Sequence, residues 1–303
     1  MKNTPVRHRV EYGLYRLLKR GLRTLPHPAA RALGRWVGDL GWRLDRRHRE
    51  VALRNMALAL PEIPAAERER RVRQCFQHFG AALCDAISST RFDAVEICKH
   101  FTLEGWENLE AAESRGKGIF ILSAHLGFWE QVPPIVGLYR GPMHIVVRPA
   151  DNPFLDSELR ALRERFGNHV IPKRGAARRM LEVLREGGRV GILIDQRVQA
   201  KEGITVPFFG HPALTSPVLA KLSLRTGAAV VPVAAYPEPD GRYRVVVRPA
   251  ILPPAEGKGD DEAVAALTRR YLEAAEEDIR QHPAQWLWMH RRWDTERKRK
   301  PEP

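Results

Sequence analysis

His125 and Glu130 are the residues of this 303-residue chain whose types and spacing point most directly to chemistry. They lie in Ser123-Ala124-His125-Leu126-Gly127-Phe128-Trp129-Glu130, just after the apolar run Ile119-Phe120-Ile121-Leu122. That run follows a Gly116-Lys117-Gly118 turn and reads as a buried strand. In a regular helix, positions five apart are separated by about 140° and share no face. A bend at His125, relaxed by Gly127, would instead let the imidazole fold back to Glu130. A carboxylate on one ring nitrogen fixes the tautomer and makes the other nitrogen a stronger base. Such a base takes the proton of an attacking hydroxyl. Two residues at one spacing are a weak signal alone, and a histidine that only hydrogen-bonds its neighbours at a strand end gives the same pattern.

Other residues are candidates by position. Arg148 opens the segment Arg148-Pro149-Ala150-Asp151-Asn152-Pro153 after a predicted strand at 144–147, where open α/β sheets place their sites. A plain surface arginine fits there as well. Arg163 and Arg165 end a predicted helix, where solvated charge is the ordinary reading. Asp195 and Gln196 close the buried run 190–194, and packing has no need of a charge there. No G-x-S-x-G elbow is present, which weakens a serine-hydrolase reading.

The segment around His125 resembles the His-x4-Asp/Glu box of the glycerolipid and lipid A acyltransferase superfamily. Its Trp-Glu ending and the later motifs are most similar to the bacterial lipid A biosynthesis acyltransferases, the late lauroyl/myristoyl transferases. Mannoside acyltransferases share the box. The further matches are Arg49-Glu50-Val51-Ala52-Leu53-Arg54-Asn55, Arg148 to Pro153, Arg163 to Gly167, Asp195-Gln196, Val206-Pro207-Phe208-Phe209-Gly210 and Pro283 to Trp293. Arg197 stands where the family usually has an acid. The resemblance implies His125 and Glu130 as the catalytic pair. It implies substrate contacts from Arg148, Arg163 or Arg165, Asp195 and Gln196, and an acyl channel lined by Phe128, Val206, Phe208 and Phe209. It further implies acyl transfer from acyl-carrier protein or acyl-CoA, as co-substrate, to a hydroxyl of a lipid A precursor at the cytoplasmic face of the bacterial inner membrane. No metal or other cofactor is expected. A phosphatidylinositol mannoside or other glycolipid acyltransferase is the alternative within the same chemistry. A non-enzymatic basic protein binding lipid or nucleic acid is the alternative outside it.

The elements that must position these residues follow from periodicity. From Phe101 onward, short apolar runs alternate with amphipathic stretches, which predicts an α/β fold. Its mostly parallel, mixed sheet would be flanked by helices, as in the glycerolipid acyltransferases. The expected organisation is an N-terminal helical, membrane-associating region (1–100), the α/β domain (101–293) and a basic tail (294–303). Residues 8–24 form an amphipathic basic helix too short in apolar length to span a bilayer; it is suited to lying on one as a peripheral, monotopic element, and a solvated helix packed on the protein body gives the same pattern. Gly34, Gly38 and Gly41 mark a place for close helix packing. Residues 203–220 carry three prolines and so form no single spanning helix; within them Val206 to Gly210 reads as an apolar loop, suited by composition to line a channel or to pack in the core, and 217–226 as a helix. Three tryptophans between 286 and 293 suit a membrane interface or a core seal equally.

Charge supports a polyanionic surface as partner. Residues 1–54 hold 14 Lys/Arg against 4 Asp/Glu, whereas residues 55–290 hold 30 against 29. The basic ends suit an anionic membrane. The near-neutral body, with no recognisable nucleic-acid motif, makes nucleic acid an unexpected partner. Cys75, Cys84 and Cys98 form neither a C-x-x-C pair nor an even framework, which fits a reducing compartment. The N-terminus lacks the unbroken apolar core of a secretory signal peptide.

Overall fold

The computed structural model describes residues 5–238, 240–254 and 260–293, so the predicted tail at 294–303 lies outside the described residues. Helices α1 (Pro5–Thr24), α2 (His27–Leu44), α3 (Arg46–Ala59), α4 (Ala65–Ser88) and α5 (Ala94–Lys99) precede the sheet. Next come β1 (Phe101–Glu104), α6 (Trp106–Glu113), β2 (Ile119–Ser123), α7 (Val132–Arg140), β3 (His144–Val147) and α8 (Pro153–Arg163). They are followed by β4 (His169–Pro172), α9 (Ala176–Arg185), β5 (Arg189–Leu193), β6 (Ile204–Phe208) and β7 (His211–Thr215). The order closes with α10 (Val218–Thr226), β8 (Ala229–Pro237), β9 (Tyr243–Val247) and α11 (Asp261–Gln281).

Seven strands form one sheet in the order β1-β9-β8-β2-β5-β3-β4. Every neighbouring pair is parallel except β8 with β9. The central strands are apolar at nearly every position because helices cover both faces. Four of five β2 residues are buried, and so are eight of nine in β8. The β2–β5 register pairs Ser123 with Leu193. His125 and Asp195 therefore leave the sheet side by side, each two residues past a paired position.

Within the helical N-terminal region, α2 and α4 are held in close backbone contact. A Cβ on Gly34 would lie 2.4 Å from the Gly80 carbonyl oxygen, and one on Gly38 would lie 2.1 Å from that of Phe76. Two of the three expected glycines thus let α2 and α4 meet. Gly41 meets only the Phe76 side chain, at 3.6 Å.

One expectation is corrected here, and one open alternative is decided. Residues 204–215 are an antiparallel hairpin, not a loop. Phe209 (φ +51°) and Gly210 (φ +75°) form its two-residue turn, with both residues in the left-handed region that such turns require. The side chain of Glu276 accepts from the Phe209 amide at 2.8 Å and holds that strained turn against α11. The tryptophans at 286 and 288 are core, 1% and 0% exposed, so they seal the protein and are not on its surface.

Candidate active site

The chain after β2 does not run straight into a helix. Leu126 bridges Trp286, Gly127 takes φ +60°, and a short 3₁₀ turn at Trp129–Gln131 leads into α7. Gly127 is required twice over, since a Cβ there would sit 2.2 Å from the Ala235 carbonyl oxygen. The predicted bend exists, but it turns the imidazole elsewhere.

The ring partner of His125 is Asp195. The His125 Nδ1 lies 2.9 Å from one Asp195 oxygen, and the His125 backbone N–H donates to the other at 2.9 Å. The Trp286 indole N–H donates to that second oxygen at 2.8 Å. A carboxylate that accepts three such bonds is fixed in place and stays ionised. Burial works to raise the Asp195 pKa, yet the His125 charge and these hydrogen bonds outweigh it and hold the carboxyl at about 2. Burial likewise works to lower the His125 pKa. The Asp195 charge and hydrogen bond, with Glu130 further off, prevail, and the imidazole is raised above its ordinary value. With Nδ1–H committed to Asp195, Nε2 is the basic atom. It faces the side-chain amide of Gln196 at 3.2 Å. The His125 side chain keeps 23% of its surface exposed, whereas Asp195 keeps 2%.

Glu130 is corrected from ring partner to partner of Arg163. The Arg163 guanidinium donates to both its oxygens, at 2.5 and 3.1 Å. Burial works to lower the Arg163 pKa, but Glu130 dominates and raises it. Both side chains are 19% exposed, so the pair stands at the site without being sealed from it. Arg165 does a different job. It clamps the backbone carbonyls of Ser89 and Phe92 and lies over the Phe166 ring. Arg148 is not brought to the site: its side chain is 79% exposed and meets Asp151 at 3.4 Å.

An apolar cavity of about 470 Å³ opens between α1, α4, the 3₁₀ turn and α8. Phe79, Leu83, Phe128, Trp129 and Leu162 line it, with Glu130 at its wall. Its size lies in the range of ligand pockets, ~300–1,000 Å³. The Trp129 ring joins this cavity to the base, 5.5 Å from the His125 ring centroid. Phe128 thus stands where a channel-lining residue was expected. Val206, Phe208 and Phe209 do not; they are buried in the core around the tryptophans. Phe208 stacks on Trp293 and meets Trp286 edge-on, so it supports the indole that holds Asp195.

Sequence reading missed the Trp286 bond to Asp195, and it missed His290, whose Nε2 accepts the Arg197 amide at 2.9 Å. Burial lowers His290 to about 4, which keeps it neutral for that role. It also missed the contributions of α4 and α8 to the cavity. The position of Asp195 at the end of a buried strand was the available signal; its pairing with His125 needed the strand order.

A His–Asp pair thus stands at the carboxyl ends of parallel strands, beside an apolar cavity. The comparisons with known proteins make this specific. Residues 2–295 match the family described as bacterial lipid A biosynthesis acyltransferase, and the chain belongs to that family. It is an acyltransferase. The chain is 28% identical over 273 residues to the lipid A biosynthesis palmitoleoyltransferase of Escherichia coli (strain K12), covering 89% of this chain and 87% of that one. It is 27% identical over 274 residues to the lipid A biosynthesis lauroyltransferase of the same organism, with the same coverage of 89% and 87%. It is also 27% identical over 279 residues to a phosphatidylinositol mannoside acyltransferase of Mycobacterium tuberculosis (strain ATCC 25618 / H37Rv), covering 90% and 85%.

Proposed function

We propose that the protein transfers a fatty acyl chain from acyl-carrier protein or acyl-CoA to a hydroxyl of a lipid A precursor at the cytoplasmic face of the inner membrane. The observation that carries this reading is the His125–Asp195 pair opening beside the apolar cavity. The acceptor hydroxyl displaces the Gln196 amide from Nε2. Nε2 takes its proton as the oxygen attacks the thioester carbonyl. The tetrahedral intermediate collapses, the C–S bond breaks, and the imidazolium returns the proton to the departing sulfur. Asp195 stabilises the imidazolium, as an orienting carboxylate does in a catalytic triad. Arg163, whose charge is felt at His125, is the cation poised for the developing oxyanion or a substrate phosphate.

Membrane attachment rests on α1, whose amphipathicity is inverted. His8, Glu11, Tyr12, Tyr15, Lys19 and Leu22 face the body, while Val6, Val10, Leu14 and Leu17 are 57–70% exposed. Trp36 and Leu44 on α2 are 63% and 74% exposed. No helix among the described residues is long and apolar enough to cross a membrane. Apolar side chains among arginines suit a helix lying in an anionic interface.

The mannoside acyltransferase reading stays beside it because that relative is as similar as the lipid A enzymes. Incubating wild type with each acceptor and each thioester donor, with products read by mass spectrometry, separates the two. Acylation of the mannoside alone would replace the lipid A reading.

A further inference from the structure

A second depression runs along α1, with a volume of about 960 Å³. It combines Leu14 and Leu17 with the guanidinium groups of Arg20 and Arg23. Lys19 and Glu158 border both this groove and the apolar cavity, so the two spaces share one wall. That wall is an ion pair, Lys19 Nζ to Glu158 Oε2 at 2.5 Å, supported by the Tyr12 hydroxyl donating to Glu158 at 3.1 Å. Both charged side chains keep part of their surface exposed, 26% and 21%. A charged pair at the edge of an apolar chamber gives that chamber little favourable packing. A partly solvated pair of this kind is worth little in stability, so parting it costs little.

The cations on the groove side are unspent. The Arg20 and Arg23 side chains have no hydrogen-bond or ion-pair partner among the described residues. Both stand within four residues of Lys19 on the same helix. Arginine's fork suits a phosphate oxygen pair.

We propose that this groove is the entry port for a phosphorylated lipid substrate. The phosphate lies on Arg20 and Arg23, and one acyl chain passes between Lys19 and Glu158 into the cavity beside Glu130. The proposal rests on the cavity being the acyl site. It assigns Arg20 and Arg23 to one lipid molecule and not to the bilayer surface at large.

The test uses monomeric dodecyl phosphate and dodecyl maltoside, each brominated at the chain end and kept below its critical micelle concentration. Chain entry is read as quenching of Trp129, a signal absent in Trp129→Phe. Wild type should bind the phosphate at least roughly tenfold tighter than the maltoside. The Arg20→Gln/Arg23→Gln variant should lose that preference while binding maltoside as before. Its two positions are exposed and unpaired, and an unchanged melting temperature confirms the fold. Glu158→Gln should speed entry of both amphiphiles. Equal binding of the two head groups, or unchanged phosphate binding in the double variant, overturns the port. So does a double variant that loses anionic vesicles but keeps monomeric dodecyl phosphate. Quenching by neither amphiphile refutes the acyl-site reading of the cavity, and the port with it.

Discussion

Replacing Asp195 by Asn removes one charge and leaves the shape of the site. The Asn oxygen can still accept from the Trp286 indole, so the core should tolerate the change. What disappears is the anion 2.9 Å from His125 Nδ1. With charge centres about 4 Å apart and an effective dielectric of about 20, that interaction is worth at most about 4 kcal/mol to the imidazolium. The imidazolium forms only as the proton leaves the hydroxyl, so the loss falls on the transition state. At ~1.4 kcal/mol per decade the rate should fall by about a thousandfold, within the ~10²–10⁴ range of general-base catalysis. The pH profile supplies a second reading. The base must be neutral, so the rate rises with pH through the His125 pKa, which Asp195 raises above the ordinary 6.5. In Asp195→Asn burial acts without that compensation, and the rising limb should move to lower pH. The assay is initial rate of thiol release from an acyl thioester, followed across pH with a thiol-reactive chromophore. A folded Asp195→Asn enzyme within threefold of wild type, with its limb unmoved, would refute the assignment of Asp195 as the orienting acid.

The remaining expectations concern the pair, the cavity and the helix contact. Glu130→Gln should cost less than Asp195→Asn and should leave the pH limb nearly in place, because Glu130 holds Arg163 and acts on the ring only at a distance; a matched pH shift would return it to the ring-partner role. Leu162→Trp should shorten the preferred acyl chain by filling the cavity, measured by competition among thioesters of different length. Phe208→Ala should leave chain preference alone and lower stability by ~3–5 kcal/mol, since that ring is core. Gly38→Ala should lower stability by about 1–3 kcal/mol by forcing α2 from α4, whereas Gly41→Ala should be close to neutral in thermal unfolding.

Much of this was legible in the chain because local pattern carries it. The buried runs at β2 and β5 and the amphipathic helices between them are dictated by residues close in sequence. So is the bend at Gly127. Pairings across the sheet are not. Glu130 lies five residues from His125 and Asp195 seventy away, yet the parallel register makes the distant acid the neighbour. The two arginines are separated by the same kind of contact. Arg163 and Arg165 differ little as sequence, but one meets Glu130 and the other the Ser89 and Phe92 carbonyls. Val206 and Phe208 misled because composition alone does not distinguish an apolar strand under tryptophans from one facing a ligand.

The central claim is that His125 is the base of an acyl transfer onto a lipid hydroxyl. Its most direct test compares purified wild type with His125→Ala, using acyl-carrier-protein and CoA thioesters as donors and lipid A precursor as acceptor, with product mass as the readout. The account predicts a product heavier by one acyl group from wild type and none above background from a folded His125→Ala. Substantial turnover by that variant would contradict it.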